Sequence, residues 1–208
     1  MSTIWCFGDS NTYGYDPCDF FGGCYSAPWP ELLAEKTGFE VINDGWNGRM
    51  IPRREYELEL FRKKAERYRA DGLIVMLGGN DLLTGTGARE VALRMEALLT
   101  GCIVPVIFLI SPPMKRGAWV PDDHFVEESR ELSRQYAALA ERLGLQYADA
   151  GEWNINLAYD GVPFSEEGCI FRKECPPFTL DQPTRLGQIA HLSRRYSPLV
   201  SDECPSLK

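Results

Sequence analysis

Histidine is scarce in this sequence: only His124 and His191 occur among 208 residues. Neither stands beside a cysteine pair, and Cys18 and Cys24 have no second pair at ligand spacing, so no metal site is expected. Long apolar runs are missing as well. No stretch approaches the ~20 residues that a membrane span requires. A basic excess is also absent: the net charge is −8 and the isoelectric point near 4.9. An acidic chain of this kind is not drawn to phosphate backbones or anionic bilayers, so nucleic acid is not an expected partner. The seven cysteines are odd in number and irregular in spacing. Met1-Ser2-Thr3 is polar and leads into an apolar segment without a secretory pattern, so the chain reads as cytoplasmic with reduced thiols. Repeats and low-complexity tracts are lacking too.

What is present is an alternation. Short apolar runs at Ile4–Phe7, Phe39–Ile42, Gly72–Leu77, Val104–Ile110 and Leu145–Ala148 predict five strands. Between them Trp29–Thr37, Arg53–Arg69, Ala88–Leu99 and Asp122–Leu143 carry apolar residues near helical spacing. In the last, Leu132, Tyr136, Leu139 and Leu143 share a face, and Gly144 fits a helix stop. Strand–helix alternation of this kind is the signature of an α/β fold with a parallel sheet, and the length suits one domain.

The region from Cys169 onward breaks the pattern. Residues 169–208 hold five of the 14 prolines and three of the seven cysteines. Six Lys and Arg against four Asp and Glu give this segment +2, leaving −10 for residues 1–168. A closing amphipathic helix is expected at this point in such a sheet. Cys175-Pro176-Pro177 and Gln182-Pro183 interrupt it, and only Thr184–Tyr196 has room for a few helical turns. The segment is therefore expected to be an atypical tail that replaces or distorts the closing helix.

Four polar segments fall at predicted strand ends or in the following loops: Gly8-Asp9-Ser10-Asn11, Asn43 to Arg49, Gly78-Gly79-Asn80-Asp81 and Asp160-Gly161-Val162-Pro163. Open α/β sheets place their chemistry at the carboxyl ends of the strands. Ester cleavage by serine needs a nucleophile, donors aimed at the developing oxyanion, and a base with an orienting acid. Ser10 supplies a hydroxyl and a backbone N–H. Gly48 lets the backbone approach a ligand and offer a second N–H, and the Asn80 amide offers a third donor.

Together these segments resemble the SGNH (GDSL-type) hydrolases, named for the Ser, Gly, Asn and His of four blocks. Gly8-Asp9-Ser10 matches the first block, Gly48 the second and Gly78-Gly79-Asn80-Asp81 the third. The run Trp5 to Gly14, with Gly45 to Arg49, Val75-Met76-Leu77-Gly78, Ser111-Pro112-Pro113 and Asp149-Ala150-Gly151, is similar to the arylesterase and acyltransferase branch. The resemblance covers residues 3–168. It implies a three-layer α/β/α sandwich of flavodoxin-like kind around a central parallel sheet of about five strands. It also implies no cofactor and hydrolysis of a small-molecule carboxylic ester through an acyl-serine. Residues 1–168 are then the esterase-type domain and 169–208 the tail, with homo-oligomerisation left open.

The last block departs from the family. Its members carry Asp-x-x-His, the histidine as base and the aspartate as its orienter. Here Asp160 is followed by Gly161, Val162 and Pro163, and proline cannot accept a proton. Three readings compete: a hydrolase scaffold with an impaired end, a pseudoenzyme binding an acyl or glycosyl ligand, and a substitute base at His191 or His124. Simpler roles stand beside these. Arg49 could contact a substrate carboxylate or phosphate, but an arginine after a Gly loop more often pairs with a neighbouring acid. Arg53-Arg54 and Arg62-Lys63-Lys64, interleaved with glutamates, form a solvated helix face. Asp9 and Asp81 order loops by accepting hydrogen bonds, and Asp160 caps the turn that follows it. Trp29, Trp46, Trp119 and Trp153 divide between an acyl pocket and plain packing.

Overall fold

The alternation of apolar runs and helical periods resolves, in the computed structural model, into β1 (Thr3–Gly8), α1 (Ser10–Tyr13), α2 (Trp29–Thr37), β2 (Glu40–Gly45), α3 (Glu55–Tyr68), β3 (Gly72–Met76), α4 (Gly79–Leu83), α5 (Ala88–Leu99), β4 (Val106–Ser111), α6 (Asp123–Leu143) and β5 (Gln146–Asp149). The structure describes residues 2–19, 23–153 and 156–165. The expected tail at 169–208 and His191 lie outside the described residues.

All five strands are parallel, in the order β2-β1-β3-β4-β5. Their side chains alternate between two buried faces. Trp5, Phe7, Leu73, Val75 and Leu109 pack in one cluster with Phe61 of α3, Val91 and Met95 of α5, and Leu132, Tyr136 and Leu139 of α6. Ile4, Cys6, Ile74, Met76 and Ile110 point to the opposite face and are equally buried. A sheet covered on both faces is the middle layer of an α/β/α sandwich, as expected. Each such side chain contributes about 1.5–3 kcal/mol by leaving water. Aromatic rings reinforce the β1–α3 contact, with Phe61 centred 4.9 Å from Trp5 and 5.0 Å from Phe7.

Four departures from the sequence reading have physical causes. Helix α3 starts at Glu55 rather than Arg53, because the Glu57 carboxylate accepts the backbone N–H groups of Arg53 and Arg54 and so fixes the entry. Strand β4 starts at Val106, past Pro105, which has no N–H for the ladder. Strand β2 runs on to Gly45 through Asn43 and Asp44, since Asp44 is compensated by cations. On α6, Leu143 is exposed where its three partners are buried, because the helix ends there at Gly144 with φ +66°. The short helices α1 and α4 have no counterpart in the sequence pattern. Both are too brief to show a period.

Candidate active site

The strand register brings the polar segments to one edge. Gly8 lies opposite Gly45 on β2 and Met76 on β3, and Met76 lies opposite Ile110 on β4. Ser10, Gly48 and Asn80 thus follow three neighbouring strands at their carboxyl ends. Close approach at this edge demands glycine. A Cβ on Gly45 would fall 2.1 Å from the Tyr13 backbone nitrogen, so α1 rests directly on the end of β2. The Asp9 carboxylate caps α1 by accepting the Asn11 N–H at 3.0 Å, and Ser10, half-buried, is the first helical residue.

The strap between β2 and α3 is bound back to this edge. The Trp46 N–H and an Arg49 N–H both donate to the Gly8 carbonyl, at 3.1 and 3.0 Å. Gly48 is exposed in the left-handed region at φ +73°, a backbone conformation that favours glycine. Asp44 receives Arg49 at 2.9 Å, Lys64 at 2.7 Å and the Trp5 indole N–H at 3.1 Å. The Asn80 amide donates to the Arg49 carbonyl at 3.0 Å, which engages one of its two hydrogens; the other has no partner among the described residues. Asp81 is wholly buried, accepts the Ile51 N–H at 3.0 Å and pairs with Arg94 at 3.0 Å.

The Asp160 segment arrives from the far end of the chain as a hairpin. Leu157 bridges Phe164, the Ala158 N–H donates to the Pro163 carbonyl at 2.9 Å, and the Ser165 N–H donates to the Asn156 carbonyl at 3.0 Å. The Phe164 N–H donates to Asn11 Oδ1 at 3.0 Å. This bond joins positions 163–164 to the residue after Ser10. A second seam ties the hairpin to residues 115–120: Lys115, Ala118 and Trp119 N–H groups donate to the carbonyls of Gly161, Tyr159 and Asp160. A Cβ on Gly117 would fall 2.4 Å from the Asp160 carbonyl carbon. Asp160 itself accepts the Val162 N–H at 3.1 Å, capping its own turn.

The family's sequence profile, described as the GDSL-like lipase/acylhydrolase family, matches residues 6–168. The chain belongs to this family. A comparison with curated proteins returns no match. Among solved structures the GDSL chain is similar to an aryl esterase from M. smegmatis, with 26% identity over 81% of this chain and 93% of that one, at a TM-score of 0.67. It shares its fold with a carbohydrate acetylesterase from Sinorhizobium meliloti, with 24% identity over 82% and 94% of the two chains, also at 0.67. A GDSL-family lipolytic protein from Veillonella parvula shares the fold at 19% identity, covering 82% and 93%, with a TM-score of 0.64.

The electrostatics of this GDSL site follow from burial. Asp9 is 1% exposed, and burial raises its carboxyl to about 6. The Asn11 N–H, the Asn11 side chain and the Arg49 charge pull the other way without cancelling it. Its Oδ2 has no hydrogen-bond partner among the described residues. Burial also raises Asp81, against the Ile51 N–H and Arg94, and raises Asp160, against the Val162 N–H. Tyr136, whose hydroxyl donates to the Leu77 carbonyl at 3.1 Å, is pushed well up by burial and then by the charges of Asp81 and Asp9.

The sequence-level roles for Arg49, Asp9, Asp81 and the Asp160 cap are those observed. Lys64 is a correction. The interleaved glutamates place it on a solvated face, yet it reaches Asp44 across 20 residues of sequence. The tryptophans divide: Trp29 is buried, while Trp46 and Trp119 are 69% and 67% exposed on the edge loops. His124 sits exposed in the first turn of α6 with its ring against Phe125 of the same helix. No group of His, Cys, Asp and Glu able to hold a metal occurs among the described residues. No helix among them is long and apolar enough to cross a membrane. Sequence reasoning missed one polar cluster beside the site. Asp149 accepts from Ser111 Oγ at 2.9 Å and from Ser133 Oγ, and Tyr147 closes the ring of hydroxyls. The Asp149-Ala150-Gly151 motif marked only one corner of it.

Proposed function

We propose that this GDSL-family chain hydrolyses small carboxylic esters through an acyl-Ser10 intermediate, at a rate held down by proline at position 163. The Ser10 hydroxyl attacks the ester carbonyl. The backbone N–H groups of Ser10 and Gly48 and the free hydrogen of the Asn80 amide hold the oxyanion. Collapse of that intermediate expels the alcohol and leaves the acyl-serine. Water, or an acceptor alcohol in acyl transfer, then releases the acid or a new ester. The step lacking support is proton removal from Ser10, because Pro163 has no acceptor. The reading assigns residues 1–168 to the esterase domain and 169–208 to an atypical tail that replaces or distorts the closing helix.

One observation carries the reading. The bond from the Phe164 N–H to Asn11 Oδ1 holds position 163 beside the nucleophile's own helix. A base at 163 is thus a matter of side chain rather than of fold. Asp160, buried with its carboxyl raised, keeps an oxygen beyond the one that accepts Val162. In other members it orients the histidine. Here its turn is kept and its partner is gone.

The test is turnover of p-nitrophenyl acetate by the native chain, Ser10→Ala and Pro163→His. Weak native turnover that is lost in Ser10→Ala and raised in Pro163→His supports the reading. Turnover that survives Ser10→Ala removes the nucleophile assignment. A native chain inert even as Pro163→His, yet folded, favours the alternative of a binding protein on a hydrolase scaffold. Full activity in the native chain points to another base, and His191→Ala is then the next variant.

A further inference from the structure

A groove of about 370 Å³ opens between residues 49–54 and α3, and the ester chemistry makes no use of it. Its floor is apolar: Phe7, Ile51 and Phe61, each nearly inaccessible. Met50 and Leu60 extend that surface to the rim, 40% and 55% exposed. A recess of this size with an apolar floor is in the range of small-molecule sites.

The charge around it is unbalanced. Arg49, Arg53, Arg54 and Lys64 line the groove, and Glu57 is the one carboxylate among the lining residues. Asp44, behind the wall, faces both Arg49 and Lys64, whose side chains are only 15% and 28% exposed. One carboxylate for two partly buried cations leaves a positive charge uncompensated there. Glu57 is engaged by the backbone N–H groups of Arg53 and Arg54. The other nearby acids of α3 serve their own helix, Glu59 pairing with Lys63 and Glu55 with Arg62. Arg54 donates to the Tyr56 hydroxyl, while the exposed Arg53 makes no ion pair among those seen. A positive surplus over an apolar floor is unusual in a chain of net charge −8.

We infer that this groove binds an amphipathic monoanion, specifically an aliphatic carboxylate of medium chain length. The apolar tail lies along Met50 and Leu60, the exposed apolar side chains of the groove, and the head meets Arg53 and Arg54, whose planar forks match a carboxylate's two oxygens. The groove also shares a wall with the site. Residues 49–51, which face it, hold the Asn80 amide through the Arg49 carbonyl and meet Asp81 through the Ile51 N–H. The inference rests on the groove and not on turnover at Ser10.

The experiment is calorimetric titration of the full chain with octanoate, octanol and acetate at low and raised salt. Octanoate is expected to bind, with affinity falling as salt screens the arginines, while octanol and acetate do not saturate in the same range. Arg53→Glu with Arg54→Glu, and separately Leu60→Glu, are expected to weaken octanoate by about tenfold or more. All three positions are exposed, so thermal melts should show retained folds. Octanol binding as well as octanoate, unchanged affinity in the groove variants, or no octanoate binding would each overturn the proposal. A chain without esterase activity leaves the titration unaffected, so the two readings fail separately.

Discussion

The two halves of the site are held by different kinds of force. The side that carries Gly48 and Asn80, from β1 to β3, is tied by charged and side-chain bonds: Asp44 with Arg49 and Lys64, Asp81 with Arg94, and Asn80 on the Arg49 carbonyl. Each depends on a particular residue type. Among the described residues the hairpin at 157–165 is held largely by backbone bonds to itself and to residues 115–120, joined by the Asn11 side chain from α1, the Tyr159 hydroxyl on the Pro17 carbonyl and the buried side chains of Val162 and Phe164. Backbone bonds tolerate changes of side chain. Position 163 contributes a carbonyl to Ala158, which proline supplies as well as histidine does. The difference bears on the proposed loss of a base: the backbone bonds of the hairpin are the same whether proline or histidine stands at the buried position 163.

That contrast can be broken at several points. The largest effect belongs to Pro163→His. Restoring a general base is expected to raise kcat/KM for a short p-nitrophenyl ester by about 10²–10⁴-fold, with the melting temperature little changed. No rise in a folded variant would mean that the hairpin does not present this position to Ser10. Arg94→Ala comes next, because it leaves Asp81 buried without its cation. Denaturant unfolding should show a loss of about 3 kcal/mol. A loss as small as that of a surface pair would show the Asn80 side to be less dependent on its charges than argued.

Asp9 gives a pH test. Its folded carboxyl titrates near 6, above the ordinary 3.8, so the native state holds a proton that the unfolded chain releases sooner. The resulting stability is present below about pH 4 and is lost as pH rises through 6. Burial raises Asp81 and Asp160 in the same direction. The difference between native chain and Asp9→Asn isolates Asp9. The native chain should lose about 2–3 kcal/mol more between pH 4 and pH 7 than the variant does. Parallel stability curves would refute the buried-carboxyl account.

The smallest expected effect is Asn11→Ala, which removes the acceptor for the Phe164 N–H and should cost about 1–2 kcal/mol. In the Pro163→His background it should lower kcat more than it raises KM, because it loosens the base rather than the ester pocket. Equal changes in both would make Asn11 a structural residue only.

Much of this was legible from residue order. Buried runs such as Ile4–Phe7 and Gly72–Leu77 marked strands because a sheet covered on both faces demands continuous apolar residues. Gly48, Asn80 and Ser10 stood out as small or polar groups where packing alone asks for neither. What stayed hidden was contact between distant elements. Asp44 gave no sign that Lys64, one helix away, would reach it. The bond from Phe164 to Asn11 crosses 153 positions and leaves no periodic trace. Helices α1 and α4 were missed for a different reason: their conformation is set by capping and by the strands they follow, not by any pattern of their own.

The seam at Gly117 bears on motion. Three N–H bonds and a backbone approach too close for a methyl group weld residues 115–120 to the hairpin that carries Asp160. Two loops joined in this way cannot breathe independently. They form one cooperative unit, whose amides should exchange with solvent at a common rate. Any motion of this edge therefore carries the exposed Trp119 together with position 163, so that the two sides of the seam move as one body.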